Sequence, residues 1–491
     1  MNAALVWFRR DLRLTDNPAL FSALSDRQSI IPIFVHAPQE HGAWIPGAAS
    51  NWWLHHSLTA LAAALAERGS RLVVRCGPSI ETLKQLIRQS SARRVYWNRC
   101  YEPALQARDQ AVETALGDLG VACFKFSGSL LYEPWSLQTG AGQPFKVFSP
   151  FWKACQRLPP HCEPLPAPRW LPPVTPDLQS VSIDELQLLP RPRWDAGLTK
   201  TWAVGEQAAA IRLEEFLYGA LKDYPTLRDR PDIFGTSRLS PHLHFGELSP
   251  RQILHAINQW QAVTPATGTV RATESFLREL GWREFAHHLL HHFPQTPDHP
   301  LDSRFERFPW SRDYLEPLRS WQRGQTGYPI VDAGMRELWS MGWMHNRVRM
   351  IVASFLVKNL RVPWVEGERW FWDTLVDADL ANNTLGWQWS AGCGADAAPY
   401  FRIFNPVLQG RRFDPDGTYV RKWVPELAPL PAKSIHQPWA VGTNALRRHG
   451  MVLDRDYPRP LVDLSESRRQ ALEAFQSIKT SPRNLPSGSI P

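Results

Sequence analysis

Between Asp377 and Trp389 the chain concentrates two carboxylates (Asp377, Asp379), two amides (Asn382, Asn383) and two indoles (Trp387, Trp389). Carboxylates and amides so close can hydrogen-bond the edge of a polar ring, and indoles can stack on a ring or pass electrons. Packing alone does not account for that density. The run Ala398 to Pro406, with Arg402 inside it, follows closely. Upstream, Gly235 to Pro241 places Thr236, Ser237, Arg238 and Ser240 just before a helical pattern. Hydroxyls, backbone N–H groups and a guanidinium fork are what a diphosphate needs, although a plain Ser/Thr helix cap explains the same residues. Glu279, Trp282 and Arg283 share one helix face by their i, i+3, i+4 spacing, as do Asn346 and Met350. Such faces suit a pocket for a flat polar ring, or an ordinary amphipathic boundary.

Other motifs point away from chemistry. His287, His288, His291 and His292 form i,i+4 pairs, but no HExxH pattern or nearby Cys accompanies them, so they read as a hydrated or basic helix face and no metal site is expected. Gly392 to Ala397 imitates GxGxxA without a preceding strand, and no GxxxxGK[ST] occurs.

The 491 residues carry 55 Lys plus Arg against 47 Asp plus Glu, a net charge of +8, with Arg supplying most of the cations. That balance suits a polyanionic partner, though an Arg-rich composition alone would produce it. The 23 Trp outnumber the 10 Tyr; core filling and electron transfer both use them. Six Cys without a CxxC exclude a zinc ribbon or thioredoxin motif. Arg9 and Arg10 follow a short apolar run, the reverse of a signal peptide, and no stretch is apolar enough to span a membrane. A cytoplasmic protein is expected.

The elements that must position these groups divide in two. Apolar runs at Ala3 to Phe8, Ile30 to Val35, Arg71 to Val74, Arg94 to Trp97 and Ala122 to Phe126 alternate with helical patterns, which predicts βαβ units and a doubly wound parallel sheet over 1–130. Residues 131–202 are Pro-rich and read as a long connector. From 203 to 478 the apolar spacing is helical throughout (Gly205 to Tyr218, Ser249 to Gln259, Ala272 to His291, Ile330 to Met341, Met344 to Leu360, Trp364 to Leu375). The fold class is therefore α/β followed by all-α, with a disordered tail over 479–491.

The motifs Trp7 to Arg13, Gly235 to Pro241, Glu279 to Phe285, Thr326 to Pro329, Gly342 to Met350 and Asp377 to Trp389, in that order, resemble the photolyase/cryptochrome family. Asn346, Met350 and Asn383 make the chain most similar to bacterial cyclobutane pyrimidine dimer photolyases; the Asp-Ala-Asp start and Gly327 to Pro329 also occur in plant-cryptochrome relatives, leaving the subclass open. The resemblance implies an α/β domain, a connector and a helical FAD-binding domain. It implies that Tyr224, Thr236, Ser237, Arg238 and Ser240 contact the FAD phosphates and ribityl chain, that Glu279, Arg283, Trp343 and Asn346 line the cofactor, that Arg349 pairs with Asp377, that Asp379 contacts the adenine half or the ring edge, and that Asn383 faces N5. An amide there can accept N5–H without adding the negative charge an Asp would bring.

The implied activity is light-dependent repair. UV-damaged DNA presents its dimer by flipping it out; Trp282 and Trp389 stack on it, Met350 packs beneath it, and Arg347 and Arg402 contact phosphates. Reduced flavin excited by blue light gives the dimer an electron, the ring splits, and Glu279, either protonated through a burial-raised pKa or bridged by a donor, hydrogen-bonds the dimer anion. The catalytic set is Glu279, Asn346, Met350 and Asn383. Trp387, Trp364 and Trp310 match the family's Trp chain, although the spacing from Trp310 to Trp321 must absorb a residue. An antenna is implied as well, methenyltetrahydrofolate ahead of a deazaflavin, against Trp97 to Pro103. A monomer is expected. The competing readings are a cryptochrome-like photoreceptor without repair and an unrelated nucleotide-binding protein using the α/β half.

Overall fold

The computed structural model describes residues 3–26, 29–158, 163–175, 177–264, 268–397 and 401–480. The first elements are β1 (Ala3–Phe8), α1 (Pro18–Ser25), β2 (Ser29–His36), α2 (Ala48–Ala66), β3 (Val73–Cys76), α3 (Ser79–Ser90), β4 (Arg94–Asn98), α4 (Pro103–Gly117) and β5 (Ala122–Phe126). The strands form one sheet in the order β3-β2-β1-β4-β5, and each neighbouring pair is parallel. Every residue of β1 is buried. Helices cover both faces of such a sheet, so its central strand reads as a continuous apolar run. Ala4, Val6 and Phe8 join a core with Trp52, Trp53 and Leu58 of α2. Leu5 and Trp7 join Trp97, Leu83 and Leu86 of α3 and Val112 of α4 in another. The doubly wound expectation is met, with β3 two residues later than its apolar run suggested.

The Pro-rich stretch over 131–202 is not featureless. It carries α5 (Phe148–Cys155), whose Phe148, Phe151 and Cys155 are buried at helical spacing, and α6 (Ala196–Thr201). Flanking prolines masked this periodicity in the sequence.

The helices that follow are α7 (Glu206–Tyr218), α8 (Tyr224–Leu227), α9 (Ser240–His244), α10 (Pro250–Val263), α11 (Thr269–His292), α12 (Leu315–Gln322), α13 (Pro329–Met341), α14 (Asn346–Ser354), α15 (Trp364–Thr374) and α16 (Leu380–Ala391). Ser249 starts α10 with a complete capping box to Gln252, which satisfies two orphan backbone donors. The helix expected over Met344 to Leu360 is α14 followed by a π-helical turn, Phe355–Asn359. The last helix is Leu464–Thr480, so it takes in two residues of the expected tail; residues 481–491 lie outside the described residues. No helix among those described is long and apolar enough to cross a membrane.

Two compact units divide the chain: Met1–Pro294 with Leu338–Trp343 and Phe371–Asn383, and Gln295–Glu337 with Met344–Trp370 and Thr384–Pro491. Within the first, the sheet is tied to later residues. The Gly246 carbonyl accepts from Arg13 Nη1 at 2.9 Å, the backbone N–H groups of Leu14 and Thr15 both donate to Glu206, and Trp53 Nε1 donates to Glu247. Gly246 has φ +66, and a Cβ there would lie 2.1 Å from the Arg10 carbonyl oxygen, so only glycine fits.

Candidate functional site

In the first unit the Gly235 to Pro241 loop is held against α8. A Cβ at Gly235 would come 2.5 Å from the Leu227 carbonyl oxygen, so the loop approaches as closely as a backbone can. Arg238 adopts the left-handed region, φ 54, and its guanidinium lies 4.7 Å from the Phe234 ring centroid and 4.8 Å from that of Trp343. Ser237 Oγ accepts from Leu239 N; Thr236 is half-buried. Ser240 Oγ donates to Asp377 Oδ2 at 2.6 Å, and Val376 N donates to Gly342 O at 2.8 Å, next to Trp343. Tyr224 is buried edge-on to Phe216 and Phe276, and burial pushes its phenol up. Hydroxyls, a guanidinium and a buried carboxylate so arranged fit a diphosphate and a ribose-like chain.

Asp379 caps α16: its Oδ1 accepts from Asn382 N at 2.9 Å and Asn382 Nδ2 at 2.7 Å. Asn383, next along, is 9% exposed. His287 Nε2 lies 3.5 Å and His244 Nδ1 3.8 Å from Asp379 Oδ2. Burial alone would push the Asp379 carboxyl up, but His287, His244 and Arg283 hold it well below the usual carboxylate range. The expectation of a hydrated histidine face is therefore corrected. His287 and His288 are buried, and His288 bridges the Phe145 N–H and the Pro134 carbonyl. Burial lowers His288 to about 4, against the opposing hydrogen bond to Pro134. The spacing showed a face but not what covered it. Among the described residues no cluster suited to a metal occurs.

On α11, Glu279 is salt-bridged to Arg228 at 2.5 Å, and its side chain is 28% exposed. Of the two arrangements expected for Glu279, a buried carboxyl and a donor-bridged one, the contact with Arg228 matches the bridged one. Trp282 is half-buried, with Phe148 stacked on it, centroids 3.9 Å apart at 9°, and Phe285 edge-on at 5.8 Å. Arg283 Nη1 donates to the Ser129 carbonyl at 2.7 Å.

The second unit carries the remaining candidates. Asn346 is the first residue of α14 and exposed. Arg347 Nη1 lies 3.7 Å from Met350 Sδ, with its guanidinium 4.6 Å from the Phe413 centroid. Arg349 Nε donates to the Met344 carbonyl at 2.7 Å. Met350, Trp389 and Arg402 line one cleft with Ser354, Lys358 and Asp396, and the Arg402 guanidinium lies 5.9 Å from the Trp389 centroid. Trp387 and Trp364 are buried, and Trp310 is half-buried beside Phe308, 4.4 Å between centroids. A Cβ at Gly367 on α15 would lie 2.1 Å from Trp387 Cη2, so the indole rests directly on that helix.

In the segment expected to receive an antenna, Arg99, Glu102 and Pro103 are half-buried and the rest is buried. Trp97 is 0% and Tyr101 3% exposed, with Trp97 edge-on to Trp7. Trp194 and Trp339, which sequence reasoning passed over, are 40% and 63% exposed and roughly parallel, with centroids 6.5 Å apart at 25°. Lys358 and Trp321 were not among the expected candidates: Lys358 lies inside the apolar helical pattern of Met344 to Leu360, and Trp321 lies outside the periodic stretches.

A family model described as the FAD binding domain of DNA photolyase matches residues 276–477, and one described as DNA photolyase matches residues 4–169. The chain is 46% identical to a deoxyribodipyrimidine photo-lyase of Agrobacterium fabrum, over 97% of this chain and 98% of that one. The chain belongs to the photolyase/cryptochrome family. Within that family it is also 40% identical to cryptochrome-2 of Arabidopsis thaliana, over 97% of this chain and 79% of the relative. Among solved structures, a bacterial class III photolyase from Agrobacterium tumefaciens superposes with a TM-score of 0.94 at 44% identity, covering 98% of each chain. This photolyase/cryptochrome chain thus carries the family's parallel-sheet portion and its helical, FAD-binding portion.

Proposed function

We propose that the protein is a light-dependent DNA repair enzyme, a deoxyribodipyrimidine photo-lyase that splits cyclobutane pyrimidine dimers. The observation that carries the reading is the meeting of Met350, Trp389 and Arg402 on one cleft: an apolar floor, an aromatic platform and a phosphate-binding cation. The 46% identity to a photo-lyase along nearly the whole chain supports it. UV-damaged DNA is the partner; the division near 130 and 203 and a monomeric state belong to the same proposal.

Tyr224, Thr236, Ser237, Arg238 and Ser240 would hold the diphosphate and ribityl chain of FAD. Arg283, Trp343, Asn346, Arg349, Asp377, Asp379 and Asn383 would line the rest. The donor set fits, since hydroxyls and a guanidinium suit phosphate, and buried carboxylates and an amide suit ring N–H and ribose hydroxyl groups. Bound FAD supplies a light-excited one-electron donor. The chain's residues do the rest. Trp389 stacks on an extruded pyrimidine, worth about 1–3 kcal/mol per base, and Trp282 is assigned the same role. Met350 excludes water beneath the dimer. Arg347 and Arg402 bind backbone phosphate. Glu279, ion-paired with Arg228, orients that arginine's N–H groups and accepts hydrogen bonds. Trp387, Trp364 and Trp310 conduct electrons inward. A folate-type antenna is placed against the exposed, roughly parallel indoles of Trp194 and Trp339.

The test is direct. With reduced flavin and UV-irradiated oligothymidylate, dimers should disappear under blue light and persist in the dark. Persistence in both would favour a photoreceptor, the reading that the 40% identity to cryptochrome-2 keeps open.

A further inference from the structure

Lys358 is a buried cation that the proposed mechanism leaves unused. It lies in the π-helical turn after α14, is 1% exposed, and lines the cleft of Met350, Trp389 and Arg402. π-turns insert one extra residue into a helix and so re-aim a side chain. Lys358 Nζ donates to the carbonyl of Ala391, the last residue of α16, at 2.7 Å. A cation there meets both an orphan carbonyl and the negative end of the helix dipole. The same Nζ lies 3.0 Å from the Phe401 ring centroid, and Phe475 stacks on that ring at 4.3 Å and 6°. The chain turns tightly around the amine: Gly392 has φ +89, and a Cβ there would lie 3.2 Å from Nζ. Trp389 stands two residues before Ala391, and Arg402 directly follows Phe401. One ammonium group therefore joins the two segments that carry the aromatic and cationic walls of the cleft.

We propose that Lys358 is a positioning residue for damaged-strand binding: by tying the end of α16 to Phe401 it sets Trp389 and Arg402 at the spacing that grips an extruded dinucleotide between base stack and phosphate. This rests on the repair reading above. Lys358 does not touch the strand, so its loss alters affinity and not the splitting step. Burial holds the amine well below the usual lysine range, with Cys393 opposing. The Cys393 thiol is itself pushed up and out of its ordinary range by burial, near Asp302 and Glu368; Asp396 and Arg402 face the same cleft. The tie accordingly weakens as pH rises through the lowered lysine value.

The experiment uses the FAD-loaded full chain, UV-irradiated oligothymidylate, and the variants Lys358→Met, Lys358→Arg and Phe401→Leu. Kd is measured from about pH 6 to about pH 9, with repair KM and the yield per absorbed photon at saturation. Lys358→Met should raise Kd and KM roughly tenfold, keep the saturated yield, and lose the alkaline weakening of the wild type. Lys358→Arg should recover part of the affinity. Unchanged Kd, a yield falling in step with KM, or alkaline weakening retained by Lys358→Met would each overturn the proposal. Should Lys358→Met not fold, Phe401→Leu decides: it keeps the bond to Ala391 and should raise KM less, and an unchanged KM counts against the tie. A wild type that repairs nothing in light defeats the repair reading alone, while the Kd series still judges Lys358.

Discussion

Trp321 stands edge-on to Trp387, with ring centroids 6.1 Å apart and planes at 70°. Trp321 is fully buried on α12, and its Nε1 donates to the Val352 carbonyl at 3.0 Å, so the indole is fixed. Trp387→Phe should slow flavin photoreduction on the order of tenfold, about 1.4 kcal/mol in barrier, and leave repair by chemically reduced protein intact. Trp321→Phe should slow it less, because Trp364 offers a second route. Flash photolysis reads both; an unaltered rate in Trp387→Phe removes that indole from the electron path.

Gly367 sits in a helix, where alanine would ordinarily gain about 1 kcal/mol. Here the added methyl would meet Trp387 at 2.1 Å, and forced overpacking costs roughly 1–3 kcal/mol. Gly367→Ala should therefore lower the melting temperature and slow photoreduction together. A stabilised variant would show that the indole can move away freely.

The Asp379 carboxylate is held low in the folded chain, chiefly through His287 once burial is offset. A carboxylate whose folded value lies below its unfolded one adds stability at higher pH and loses it as pH falls through the folded value. Replacing His287 with Phe keeps a ring but removes the facing imidazole, so that value rises. The variant should acid-unfold at higher pH than the wild type, each pH unit of difference between folded and unfolded values being worth about 1.4 kcal/mol. Superimposable melting curves between about pH 5 and about pH 2 would refute the coupling.

If the pair Trp194 and Trp339 seats the antenna, Trp339→Ala should release the chromophore and abolish its near-UV absorption while leaving flavin content unchanged. Retention of the chromophore by this variant would place it elsewhere.

The sheet and most long helices were legible because their apolar periods are strong: β1 is uniformly apolar, and α10 even announces its cap in Ser249 and Gln252. Boundaries and breaks were not. The π-turn at Phe355–Asn359 keeps an apolar pattern that reads as plain helix, and α5 is hidden among prolines. At the site, the hydroxyl loop and the Asp-rich segment showed themselves by composition. The pairing of Glu279 with Arg228 did not, because a sequence gives a helix face without naming its neighbour. Lys358 was illegible for the same reason: its apolar run marks it as core, and nothing in the sequence names the Ala391 carbonyl that its amine caps.

The fit of Gly246 against the Arg10 carbonyl, with Arg13, Leu14, Thr15 and Trp53 bonded to the 206 and 246–247 positions, bears on modular exchange. The α/β portion is not a cassette that can be cut at its last strand. A chimera built by transplanting the first 130 residues from a relative would inherit a foreign surface where the recipient's glycine and glutamates expect their own hydrogen-bond donors. Such grafts should succeed only when the loop around Gly246 and the start of α7 travel with the sheet, so recombination among relatives is constrained to crossover points outside that pairing.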